Sequence, residues 1–310
     1  MIEKEWFAIC FNILTLKIQN RSPILKNMFN QITILGPGLL GASLAMAAKK
    51  NKLCQKVSIW SRSEYSRNKC KPQAWCDQVY DTPIEAIVSS ELVILCTPVA
   101  TIGNLLKEIA PHLHPDALVT DVGSTKAEIC KVAESINTDS LNFLGSHPMA
   151  GSEKTGLEHA RVDLFESSAC ILTPTESSNP AHLETLKSFW EALKMQVFIQ
   201  TPETHDTIVA HLSHLPHALA AILSAHLFNH DSDWASMSGA GLKDTTRVAA
   251  GSPELWQQIL FQNKTSVLDA LERFESILQR FKIALNENDT DAVTKILEDG
   301  KKFRETLNHD

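Results

Sequence analysis

The sequence predicts an α/β chain in two parts, a doubly wound parallel sheet followed by an all-α segment, on three observations. Short apolar, β-branched runs alternate with longer amphipathic ones from Gln31 to Gln200, the pattern of consecutive β-α-β units; a glycine-rich turn joins the first run to the first helix; and the strand signal stops after Gln200. Composition agrees with a globular body, since 44% of the 310 residues are hydrophobic and 21% charged, which excludes a disordered or fibrous chain. The net charge of -7, from 29 basic and 36 acidic side chains, provides no basic stripe, so nucleic acid is not expected as a partner.

Residues 1-27 read as an N-terminal extension. Trp6 to Leu16 is mostly apolar, but a bilayer span needs about twenty such residues and this run contains Asn12, so no membrane segment is expected. The start Met1-Ile2-Glu3-Lys4-Glu5 lacks the positive region of a secretory signal. The seven cysteines include no C-x-x-C pair and stop at Cys170, which predicts free thiols and a cytoplasmic location.

Strands are predicted at Gln31 to Leu35, Lys56 to Trp60, Leu92 to Cys96, Ala117 to Thr120, Asn142 to Leu144, Ala169 to Leu172 and Val197 to Ile199. The first runs into Gly36-Pro37-Gly38-Leu39-Leu40-Gly41, a G-x-G-x-x-G in strand-turn-helix context. Its glycines suit a tight turn, an open approach for a pyrophosphate and close packing of helix on strand, with the anion at the helix N-terminus. Residues 28-200 therefore read as a Rossmann-type dinucleotide-binding domain, with Gly36, Gly38, Leu39, Leu40, Gly41, Thr97 and Pro98 at the cofactor. Where an NAD-binding unit carries an acid for the ribose, the second strand ends in Ser61-Arg62-Ser63. A guanidinium flanked by hydroxyls suits a 2'-phosphate, so NADP is favoured, with NAD possible.

Two polar segments follow strand ends, Asp121 to Lys126 and Gly145 to Glu153, and ligands of open α/β sheets bind there, so Ser124 and His147 should meet the cofactor. Residues 201-310 form the predicted helical domain, which opens on the start signal Thr201-Pro202-Glu203 and repeats it at Ser252-Pro253-Glu254. Its first helix carries Asp206, His211, His214 and His217. The three histidines fan over about 120 degrees of helix without an H-E-x-x-H, so no metal site is expected. Pro216 should bend this helix and open a pocket. Lys243 and Arg247, after the glycines at 239 and 241, suit a carboxylated substrate. Val267, Leu271, Phe274, Leu278, Phe281 and Leu285 step by four and three, a seam that is either internal core or a dimer face; a helical domain this small favours the homodimer.

Together these segments resemble the prephenate and arogenate dehydrogenases of tyrosine biosynthesis. The resemblance lies in I-L-G-P-G-L-L-G-A-S-L (34-44), D-V-G-S-T-K (121-126), G-S-H-P-M-A-G-S-E (145-153), S-H-L-P-H (213-217) and L-K-D-T-T-R (242-247). It implies that His147 is the catalytic base, that Ser124 hydrogen-bonds this histidine and the substrate hydroxyl, and that Asp206 orients the imidazole. It implies further that Arg247 holds a substrate carboxylate, that His214, His217 and Lys243 shape the pocket, and that Glu153 and Trp256 stand near its mouth. No fused mutase or regulatory domain is expected. Prephenate is the favoured substrate, and arogenate stays open because Ser61-Arg62 also occurs in NADP-using arogenate enzymes. A β-hydroxyacid-type dehydrogenase is the rival enzyme class, and a dinucleotide sensor without catalysis the rival outside enzymes.

Overall fold

The computed structural model describes residues 27-138, 141-152, 154-230 and 233-307; of the expected N-terminal extension, residues 1-26 lie outside them. Strand β1 (Phe29–Leu35) is buried at every position except Asn30. Because side chains alternate along a strand, Ile32 and Ile34 enter one core layer with the alanines of helix α1 (Leu39–Lys50), while Leu35 enters a second. The rest of this part comprises β2 (Cys54–Trp60), α2 (Glu64–Cys70), β3 (Gln78–Tyr80), α3 (Pro83–Ile87), β4 (Leu92–Leu95), α4 (Val99–Ile109), β5 (Leu118–Asp121), α5 (Ala127–Ser135) and β6 (Asn142–Phe143). All six strands are parallel in the order β3-β2-β1-β4-β5-β6. The order reverses between β1 and β4, so a crevice opens beyond their C-terminal ends. β3, a short edge strand, carries too little apolar pattern to be predicted.

The strands do not form one sheet, as the sequence reading implies. β7 (Gly145–Pro148), β8 (Ala169–Thr173) and β9 (Gln196–Ile199) make a second sheet, in which β7 is antiparallel to β8 and β8 parallel to β9; α6 (Pro180–Ala192) links the last two. The switch is made at Gly145, where a Cβ would lie 2.4 Å from Thr173 Oγ1 and 3.2 Å from Cys130 Sγ. Only a glycine passes that close, and the next residues, Ser146 and His147, are carried into a buried strand rather than a loop.

In the helical half, Thr201 caps α7 (Pro202–Val209), its hydroxyl accepting from Thr204 N at 3.2 Å. A π turn over Ala210–His214 leads into α8 (Leu215–Phe228). Pro216 has no N–H for the carbonyl of Leu212, and the widened turn takes up that mismatch. The continuous run Pro202–Phe228 is long and apolar enough, by composition, to cross a bilayer, yet it buries Asp206, Val209, Ala210, Leu215 and Ala218 inside this protein. Then come α9 (Asp233–Ser236), α10 (Ala240–Thr246), a 3-10 turn (Arg247–Ala250), α11 (Pro253–Gln262), α12 (Lys264–Glu287) and α13 (Thr290–Thr306). Ile259 of α11 is buried in the same core layer as Ile102 and Leu105 of α4, which docks the helical half on the sheet. The seam of α12 divides: Val267 is buried and Leu271 and Phe274 pack on α8, while Leu278 and Leu285 are 45% and 55% exposed.

Candidate active site

The glycine turn has the geometry that a pyrophosphate needs. Gly36 adopts φ +103°, and a Cβ there would stand 2.9 Å from the backbone of Cys96 and Thr97; at Gly41 it would stand 2.3 Å from the Gly36 carbonyl. At Gly38, which begins α1 without a side-chain cap, the space is open, so free N–H groups face an approachable surface. A cavity of about 560 Å³ extends from this turn, lined by Gly36, Gly38, Ser61, Arg62, Ser63, Thr97 and Pro98 among others. Leu39, Leu40 and Gly41 lie in the first turn of α1 rather than on the cavity wall. Among the described residues Thr97 Oγ1 is buried without a hydrogen-bond partner and stands on the cavity wall, where it suits a polar ligand group.

The shape of the β2–α2 loop is held by Arg67. Its Nη1 donates to the carbonyls of Ser61 (2.7 Å) and Arg62 (3.2 Å), and its Nε pairs with Asp81 at 3.2 Å. Ser63 Oγ caps α2, accepting from Ser66 N at 3.4 Å. The Arg62 guanidinium stands exposed at the cavity rim. Tyr65 and Lys69, which sequence reasoning missed, share that wall, the ammonium lying 4.5 Å from the ring centroid.

The second centre lies where β5, β7, α7 and α11 meet. Asp121 and Lys126 form an ion pair with both side chains wholly buried. Asp121 Oδ2 also accepts from Gly123 N (2.8 Å), and Ser146 Oγ donates to the Asp121 carbonyl (2.6 Å), so the β5–α5 turn and the start of β7 are one hydrogen-bonded unit. His147, the next residue, is 7% exposed, and its Nδ1 lies 2.8 Å from Nε2 of His205. His205 Nδ1 in turn meets Asp206 Oδ1 at 2.8 Å. Asp206 accepts from the first amides of α5 as well, Lys126 N at 2.7 Å and Ala127 N at 3.0 Å. Asp206, expected to orient the imidazole, reaches His147 only through a neighbour: adjacent residues on α7 point differently, and His205 stands between them. Among the described residues no hydrogen bond joins Ser124 to His147; Ser124 is half-buried in the β5–α5 turn, with its backbone beside His214.

His214 is fully buried, Nδ1 lying 3.2 Å from Asn263 Nδ2, which also donates to the Asp206 carbonyl at 2.6 Å. His217 stacks on Trp256, with ring centroids 3.4 Å apart and planes 9° from parallel. His211 turns away, its Nε2 4.0 Å from Asp269. Lys243 and Arg247 are exposed on α10 and the 3-10 turn that follows it, and this turn ends at Gly251 against the His217–Trp256 stack. Glu153 lies outside the described residues. His205 was legible only as a neighbour of Asp206; Asn263 carried no sequence signal.

Burial, first, and then His205, Lys126 and His214 hold the His147 pKa well below the ordinary imidazole value, so the ring is neutral at neutral pH. Burial likewise lowers His205, against the opposing pull of Asp206, and brings His214 to about 4. All three folded pKa values are depressed, so protonation favours unfolding: stability is complete above about pH 6.5 and is lost as pH falls through it towards the folded values. For His214 alone the interval corresponds to about 3 kcal/mol. Thermal melts should drop steeply between about pH 6.5 and 4; a flat profile there would contradict the buried, neutral rings.

Residues 44–199 match the family described as prephenate dehydrogenase, nucleotide-binding domain, and residues 201–299 the family described as prephenate dehydrogenase, dimerization domain. A cyclohexadienyl dehydrogenase of Zymomonas mobilis is 30% identical over 91% of this chain and 98% of its own length. The prephenate dehydrogenase of Bacillus subtilis is 30% identical over 91% of this chain and 77% of its own. Among solved structures, prephenate dehydrogenase of Aquifex aeolicus, in complex with hydroxyphenyl propionate and NAD+, superposes with a TM-score of 0.83 at 31% identity, covering 90% of this chain and 98% of that one. Synechocystis arogenate dehydrogenase gives 0.77 at 29% identity, covering 89% and 99%.

Proposed function

The chain belongs to the prephenate dehydrogenase family, and from that premise we infer that it converts prephenate to 4-hydroxyphenylpyruvate by oxidative decarboxylation, with hydride transfer to NAD(P), in L-tyrosine biosynthesis. The observation that carries the site assignment is a neutral, buried histidine between the dinucleotide crevice and the helical half, with its Nδ1 already engaged.

The nicotinamide, when bound, supplies the hydride acceptor. His147 takes the proton of the ring hydroxyl as the carbon beneath it becomes a carbonyl. The ring carboxylate then departs as carbon dioxide, its bonding electrons complete the aromatic ring, and the ring oxygen regains the proton held at His147 to become the product hydroxyl. Ser124, Lys243, Arg247, His214, His217 and Trp256 bind or orient the substrate, with the exposed guanidinium of Arg247 gripping the side-chain carboxylate. Burial excludes water from His147 and keeps it unprotonated, the form in which it can act as a base.

NADP is the favoured cofactor, on the Ser61-Arg62-Ser63 loop and the guanidinium at the cavity rim; the Aquifex complex with NAD+ supports the alternative. A division of the chain at 200/201 is supported by family matches over residues 44–199 and 201–299. The dimerization-domain match and the uncovered Leu278 and Leu285 support a homodimer through α12, and the free thiols of the described cysteines suit a reducing compartment. Arogenate is the second reading, supported by the likeness to the Synechocystis enzyme.

Following absorbance of the reduced cofactor with prephenate and arogenate, each with NADP and NAD, tests the whole assignment. Turnover with carbon dioxide release in one combination upholds it; folded, dinucleotide-binding protein that turns over none of them overturns it. In the same assay Arg62→Ala should raise KM for NADP by about 10- to 100-fold, the value of a charge-assisted contact, and leave NAD untouched. Equal effects on both cofactors would remove the 2'-phosphate role.

A further inference from the structure

We infer that His205 is a positioning residue, which holds His147 in the one neutral tautomer whose Nε2 is free to accept the substrate proton. The inference rests on the assignment of His147 as base.

It follows from hydrogen-bond polarity. The Asp206 carboxylate accepts the two α5 amides, 2.7 and 3.0 Å away, and its Oδ1 lies 2.8 Å from His205 Nδ1. An ionised carboxylate offers no proton, so His205 Nδ1 must carry one. A neutral His205 therefore presents a bare Nε2, and among the described residues the partner placed to use it is His147 Nδ1 at 2.8 Å. That nitrogen must donate. With its proton committed to Nδ1, neutral His147 has its lone pair on Nε2, the nitrogen not engaged in the relay.

The same chain gives the accepted proton a route inward. When Nε2 takes a proton, His147 becomes an imidazolium, and its Nδ1 proton can shift to His205 Nε2. His147 is then neutral again, now protonated at Nε2, and the positive charge rests on His205 against the Asp206 carboxylate; one proton has entered and no bond order is left unbalanced. The two rings cannot both be charged at this separation, so the pair holds one extra proton between them. The charged or titratable groups that face the pair are Lys126, His214, Asp121 and Asp206.

The relay also joins the two halves of the protein. His147 stands on β7, His205 and Asp206 on α7, and Asp206 grips the N-terminus of α5 on the sheet side. Asn263, just past α11, holds the Asp206 carbonyl, and Thr125 Oγ1 donates to Gln262 Oε1 at 2.8 Å. The tautomer of the base is thus set by a residue of the helical half and holds only while the halves are docked.

Two variants separate positioning from folding. His205→Leu removes both nitrogens and spares the Asp206 cap on α5; it should lower kcat by about 100-fold with KM for both substrates little changed. His205→Gln, whose Oε1 can reach the position of the imidazole Nε2, should recover at least about tenfold of that loss, since one accepted hydrogen bond is restored. Nitrogen-15 spectra of labelled histidine provide a readout independent of turnover: His147 should be protonated at Nδ1 in the parent protein and a mixture of tautomers in His205→Leu. A parent His147 protonated at Nε2, or unchanged kcat in His205→Leu, overturns the inference. If instead His147→Asn keeps its turnover, it is the underlying base assignment that fails.

Discussion

His147→Asn is expected to lower kcat by about 100- to 10,000-fold while leaving KM for prephenate and dinucleotide within about threefold. Asparagine fits the space and can still donate to His205, but it has no lone pair basic enough to take a hydroxyl proton. The binding groups, Arg247 and the glycine turn, lie on other elements and are untouched. The loss should therefore fall on the chemical step. Because burial and the neighbouring His205, Lys126 and His214 depress the His147 pKa, the acid limb of the kcat/KM profile should lie below pH 6.5 in the parent enzyme. Steady-state rates across pH, for parent and variant, check both statements. A variant with near-normal kcat, or a parent whose acid limb lies above neutrality, would move the base elsewhere.

Lys126→Met should destabilise the protein by about 3–5 kcal/mol, the cost of leaving a buried carboxylate without its counter-ion. Asp121 and Lys126 are fully buried under the site, and Asp121 also orders Gly123 and Ser146. Methionine keeps most of the lysine volume, so the loss reports charge rather than packing. Urea unfolding at neutral pH measures it. The double variant Asp121→Asn, Lys126→Met should regain part of the lost stability, because the unpaired charge is gone. A single variant as stable as the parent would mean that the pair contributes nothing and that the turn is held by its backbone hydrogen bonds alone. Activity should fall with stability, since Ser124 and the β7 strand that carries His147 hang from the same hydrogen-bonded unit.

Much of this arrangement was legible because it rests on local rules. Gly36, Gly38 and Gly41 are recognisable in sequence since a tight turn and close helix packing tolerate no Cβ there, and the structure shows the backbone atoms that a Cβ would strike. Thr201-Pro202 and Ser252-Pro253 are legible for a similar reason: capping needs only residues within one turn. The β-branched, apolar run of β1 announces a strand, but the burial of its polar Gln31 and Thr33 is seen only in the fold. Arg67, which shapes the Ser61-Arg62 loop, gives no such signal, because a surface arginine on a short helix reads as a solvated charge until its partners are seen.

By itself the sequence determined the parallel-sheet fold, the dinucleotide turn and the helical second part, all of them consequences of period, turn chemistry and residue type over a few neighbouring positions, whereas the role expected of His147 came from the family resemblance of its segment. Only the tertiary structure decided that β7 leaves the main sheet, that His205 rather than Asp206 touches His147, and that Asn263 and the Asp121–Lys126 pair support the site. The His147–His205 contact spans 58 residues and the Asp206–Lys126 contact 80, and separations of that size are closed by the docking of α7 against α5, which no local pattern encodes.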